Sequence, residues 1–139
     1  MIDTVRRPVP PTNTASKTRK RRRTEREIAF REAVWRRDAG RDRATGRILY
    51  RQSEDWDSLG EVCHLLSRGA HPDLAYVVSN GILLSKANHW LSDARGGHAL
   101  RISDPETGER ATDAGTDVPK PLTFTLLDRT GRILWTRTA

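Results

Sequence analysis

Apolar and polar residues follow one another along this chain in blocks that predict a small α+β fold. Ile28, Phe30, Ala33, Val34 and Trp35 make a broad apolar stripe at helical spacing. Thr24 with Glu27 three residues on forms a capping box, which places the start of that helix at Thr24, and Gly40 ends it. Arg41 to Gly60 is charged and turn-rich, an irregular connection with a short Ile48-Leu49-Tyr50 strand and Trp56 in a polar loop. Leu59 to Leu66 alternates weakly and predicts a strand, and Ser67 to Asp73, with Gly69 and Pro72, predicts a loop. Val77-Val78 leads into Asn80-Gly81, a turn dipeptide, and Ile82-Leu83-Leu84 follows as a second strand. Ser85 then caps a helix running to about Ala94 that Gly96-Gly97 closes. Beyond it, His98 to Ile102 predicts a strand, and Thr123–Leu127 with Ile133–Thr136 predict a hairpin around Asp128-Arg129-Thr130-Gly131. The text between them is polar and rich in breakers, and this C-terminal β section is expected to pack on the core.

Length and charge sharpen that outline. At 15.7 kDa and 35% hydrophobic content the chain can bury one modest core, which excludes any large enzyme architecture. The net charge of +7 is not spread evenly: residues 1–24 hold eight Lys or Arg against the single acid Asp3, and the remainder is balanced. The expected organisation is therefore a disordered basic arm over 1–23, a core over 24–97 and the C-terminal β section over 98–139. Arg19, Lys20, Arg21, Arg22 and Arg23 in that arm are suited to neutralising nucleic-acid phosphates with strong salt dependence and no sequence information. Cys63, the single cysteine, excludes an intrachain disulfide and Cys-x-x-Cys zinc, and points to a reducing, cytoplasmic setting. No apolar run is long enough for a membrane span, so a membrane is not the expected partner.

The chemistry concentrates between Glu61 and Asp93. On the second helix His89 and Asp93 are four residues apart, so their side chains leave one face about 6 Å apart at Cβ and can grip one divalent ion. His64, at the end of the first strand, can be brought opposite that face, where an imidazole is able to take a proton from water. A base plus a metal that polarises phosphate is what phosphodiester hydrolysis needs. Arg68 and Lys86 flank the segment as candidate phosphate contacts, whereas His71 and His98 have no partner at useful spacing.

The runs V-C-H-L-L-S-R-G, N-G-I-L-L and S-K-A-N-H-W-L-S-D resemble the ββα-metal motif of HNH endonucleases, over about residues 30–95. The resemblance implies a ββα-metal core and a metal-dependent endonuclease acting on nucleic acid, DNA above all, of bacterial or phage type. It implies that His64 activates water, that Asn80 orients His64 through the loop between the strands, and that His89 binds the ion with Asp93 joining it. The ion would be one of magnesium, manganese, nickel or zinc. The chain also departs from the family: Ser85 and Asn88, and Arg43 and Gly46, stand where many members carry zinc-binding Cys-x-x-Cys knuckles. No structural zinc is expected, and the Thr24 helix and the C-terminal strands have to supply the missing stability. Cys63 stands where the family commonly has an Asp or His ligand. A thiolate suits zinc better than magnesium, so either the ion is a transition metal or Cys63 stays out of its shell, as strand alternation away from His64 suggests. Two other readings stay open: a non-catalytic DNA-binding module on a degenerate nuclease fold, and a nuclease effector toxin.

Overall fold

Arginine and lysine are good helix formers, and no proline or glycine interrupts the chain between Thr14 and Arg37. One helix, α1 (Thr14–Arg37), therefore runs straight through the expected start at Thr24. The computed structural model describes residues 14–93 and 99–139, the side chains of residues 14–20 and of Arg23 excepted. The basic segment read as a disordered arm is thus helical from Thr14 onward, and its residues 1–13 lie outside the described ones, as does the expected helix end at Ala94 to Gly97. Only one face of α1 is buried, through Phe30 and Val34. Ile28 falls off that face and is 58% exposed, which corrects its place in the apolar stripe. After the helix, Ala39 and Gly40 adopt φ of 55° and 65°, and this left-handed step reverses the chain.

Two small sheets complete an α+β chain. β1 (Gly60–His64) pairs antiparallel with β2 (Gly81–Ser85), Cys63 lying opposite Ile82 and His64 opposite Gly81. α2 (Lys86–Ser92) follows β2 directly, its first turn capped by Ser85, whose hydroxyl accepts from the Asn88 amide at 3.1 Å. β3 (Ala99–Ser103), β4 (Thr123–Leu127) and β5 (Ile133–Thr138) form an antiparallel sheet in that order, so the predicted hairpin gains a third strand. The expected Ile48-Leu49-Tyr50 strand reduces to isolated bridges, Arg41 with Ile48 and Tyr50 with Leu59. Val78–Asn80 is a 3₁₀ turn rather than strand, and Gly81 is extended at φ −97°, so Asn80-Gly81 does not make a hairpin turn. The glycine is needed for close packing instead: a Cβ there would stand 2.5 Å from Val34 Cγ2 and 2.8 Å from Phe30 Cζ.

β2 is buried on both sides, which explains its unbroken apolar run. Leu83 packs with Phe30, Val34 and Leu49, while Ile82 and Leu84 join Cys63, Leu100, Leu122 and Phe124. The C-terminal section is therefore part of one core with β1 and β2, as its apolar strands predict. No helix among the described residues is long and apolar enough to cross a membrane.

The segment between α1 and β1 contributes something the hydrophobic pattern did not announce, a buried ionic network. Asp38 Oδ1 accepts from Arg37 Nε at 2.8 Å and Arg43 Nη1 at 3.3 Å, and its Oδ2 accepts from Arg37 Nη2 at 2.8 Å and the Leu83 amide at 2.9 Å. Arg37 spends its other donors on the carbonyls of Val78, Gly81 and Gly115, and Arg43 on those of Ala114, Lys120 and Ala139. Burial lowers the Arg43 pKa below the usual guanidinium range, and the Asp38 carboxylate opposes that. Asp42 is buried as well: Oδ1 accepts from the Ala44 and Thr45 amides, and Oδ2 from the Ser85 amide at 2.9 Å and Asn88 Nδ2 at 2.8 Å. Asp42 thereby joins the neighbourhood of Arg43 to Ser85 and Asn88. Stability expected from α1 and the C-terminal strands alone is supplied in part by these two carboxylates.

Candidate active site

β1, α2 and β3 enclose a cleft of about 680 Å³ whose lining includes Cys63, His64, Arg68, His89, Asp93, Arg101 and Arg110. His64, at the end of β1, is among the residues lining this cleft, and its ring stacks on Phe30 of α1, centroids 5.2 Å apart and planes 11° from parallel. Its Nε2 lies 2.9 Å from the Ala75 carbonyl oxygen. A carbonyl can only accept, so Nε2 carries the proton and Nδ1 keeps its lone pair. Ring stacking and this hydrogen bond fix both the orientation and the tautomer of the imidazole.

Asn80 is linked to His64 only through the loop between the strands. Buried at the end of the 3₁₀ turn, it accepts from the Leu66 amide at 2.9 Å and donates to the carbonyls of Leu66 at 3.1 Å and Leu74 at 3.2 Å, while its own carbonyl takes the Leu65 amide. These bonds tie both ends of the intervening loop together, and Leu74 adjoins the Ala75 carbonyl that holds His64. Asn80 makes no hydrogen bond to the imidazole itself.

His89 and Asp93 do come together, Nε2 to Oδ2 at 3.8 Å, with Asp93 at the C-cap of α2 rather than inside it. A residue the sequence reading missed completes the set: Glu61 Oε2 lies 3.4 Å from His89 Nδ1. With the Nδ1 proton given to Glu61, Nε2 turns its lone pair toward Asp93, the carboxylate–histidine arrangement that orients metal-binding imidazoles. The period-2 alternation of β1 was the available signal, since it puts Glu61 on the same face as Cys63. Among the described residues no three His, Cys, Asp or Glu side chains converge on one point. An ion held by His89 and Asp93 would have to take its remaining positions from water and substrate oxygens.

Cys63 lies in the core at 4% exposure, its thiol directed at the Glu61 carbonyl at 3.5 Å. Burial pushes its pKa well above the usual thiol range, and the carboxylates of Glu61, Asp93 and Asp42 add to this. The thiol is thus held protonated, which disfavours the thiolate that a metal would need. We expect the folded protein to resist Ellman's reagent until denatured, and its cobalt form to lack thiolate-to-metal charge-transfer absorption; rapid labelling would contradict the burial of the thiol, and such a band would make Cys63 a ligand. The same shift has a linkage sign. Its stabilising contribution is complete below the ordinary thiol range and is lost as pH rises from there toward the folded value.

The candidate phosphate contacts divide. Arg68 lines the cleft, bonded to Tyr76 Oη at 3.2 Å and 3.6 Å from Glu27 Oε1. Lys86 is not in the cleft's lining, and its ammonium sits 4.6 Å over the Trp56 ring. Arg21 and Arg22 are exposed on α1, whereas the side chains of Arg19, Lys20 and Arg23 lie outside the described ones. Arg137 donates to the Ala44 carbonyl at 3.3 Å, away from the cleft. Comparison of the chain with protein-family models, with characterised proteins and with solved structures gives no match.

Proposed function

We propose that this protein is a metal-dependent endonuclease of the HNH type that hydrolyses phosphodiester bonds in DNA. The observation that carries the reading is one cleft lined both by His64, whose Nε2 is engaged by the Ala75 carbonyl, and by the His89–Asp93 pair that Glu61 backs. A water beside His64 Nδ1 gives up its proton to the imidazole as its oxygen bonds to phosphorus, and the bond to the leaving oxygen breaks. Ala75 and Phe30 hold the base in place through that transfer, so no reorientation is required as the water is deprotonated. His89 and Asp93 are the residues that would hold the ion, and Glu61 keeps His89 in the tautomer that can bind it. A divalent ion there supplies stabilisation of the negative charge that builds on the leaving oxygen. Arg68 lines the same cleft, with its guanidinium already engaged by Tyr76 and Glu27.

Nicking of supercoiled plasmid tests the reading. Cleavage is expected with one or more of magnesium, manganese, nickel and zinc, and chelation should abolish it; intact plasmid under all four ions would overturn it. Glu61→Gln should weaken ion affinity about 10- to 100-fold in a calorimetric titration. Unchanged affinity would remove Glu61 from the site.

A further inference from the structure

The C-terminal sheet does more than close the core. β3 packs against α2, and β3 with the segment that follows it adds Leu100, Ile102 and Ala111 and two arginines, Arg101 and Arg110, to the lining of the cleft. Arg110 is committed: its Nη2 donates to the Leu65 carbonyl at 2.7 Å, fastening this wall to the residue after His64. Arg68 is committed to Tyr76 and Glu27. Arg101 is different. It is exposed on β3, lines the cleft, and its side chain makes no hydrogen bond or ion pair with the described residues. A guanidinium carries five donors in a rigid fork that matches phosphate oxygens, and Arg101 is an exposed residue among those lining the cleft.

We propose that the C-terminal sheet forms the second wall of a nucleic-acid cleft, with Arg101 gripping a backbone phosphate on the side opposite His89 and Asp93. The proposal rests on the nucleic-acid reading above and extends it to a part of the chain outside the HNH-like segment. Arg101 contributes charge and two parallel hydrogen bonds to the backbone, and it reads no base. Its contact places the strand across the mouth of the cleft.

The test uses the full chain in EDTA, so that binding is read without cleavage, with a short fluorescein-labelled DNA duplex titrated by anisotropy at several chloride concentrations. Arg101→Ala should weaken binding about 3- to 10-fold and lower the slope of log affinity against log salt by about 1. Arg101→Lys should keep the slope, and Arg129→Ala, on the distal hairpin turn, should change neither quantity. Thermal unfolding of Arg101→Ala at the parent temperature shows that the loss is not a folding defect. An unchanged slope for Arg101→Ala, an equal loss for Arg129→Ala, or no DNA binding by the parent protein would each overturn the proposal. Failure of the parent to nick plasmid under any ion would sink the nuclease reading while leaving a slope change at Arg101 intact, so the two failures are distinguishable.

Discussion

His64→Ala should slow DNA cleavage about 10²- to 10⁴-fold while leaving the protein folded and its ion affinity unchanged. The size follows from the role. The imidazole donates Nε2–H to the Ala75 carbonyl, which leaves Nδ1 as the proton acceptor of the proposed step, so its removal deletes the base and nothing that would hold the ion. His89→Ala should fail differently, losing ion affinity first, because its ring stands between Glu61 and Asp93. Equal cleavage by wild type and His64→Ala, measured by plasmid nicking at saturating ion, would take the base role away from this residue.

The largest effect on stability is expected at Asp38, far from any chemistry. Its carboxylate is wholly buried between the guanidiniums of Arg37 and Arg43, themselves almost fully buried. Asp38→Ala leaves two buried cations without a counter-charge and the Leu83 amide of β2 without its acceptor. A loss of about 3–5 kcal/mol is expected, the usual result of breaking a buried pair from one side, and it should read in chemical denaturation as a large fall in midpoint. Glu32→Ala, which breaks an exposed pair with Arg51, should change little by comparison. Similar small losses for both would mean that the network does not hold the fold.

Local patterns carried the strands well and the long-range partnerships poorly. β1, β2 and β4 appear where β-branched and apolar runs lie between breakers, because each is short and half or fully buried. α1 begins earlier than its capping box suggests: Thr24 is a competent cap, yet the preceding lysines and arginines propagate the helix past it, helped by the pairs Arg21–Glu25 and Glu27–Arg31. His89 and Asp93 were readable because helical spacing alone brings them together. Glu61 was not, since its partner is set by the packing of α2 on β1. Asn80 looked like a turn former before a glycine, whereas both residues answer to tertiary demands: the amide ties down the loop, and Gly81 lets α1 approach. Asp42 and Arg43 read as part of a charged connection, and Arg37 and Asp38 as the polar end of the first helix, because nothing in a sequence of alternating charges announces burial. Arg101 lay in a strand with no neighbouring signal at all.

The central claim is that the cleft binds an ion and cuts with it, and both halves can be read on one sample. Purified protein stripped by chelation and titrated with a divalent ion should take up one ion per chain, with DNA cleavage rising in proportion to occupancy. Cleavage that persists in the stripped protein, or a fully occupied protein that leaves DNA intact, would contradict the account.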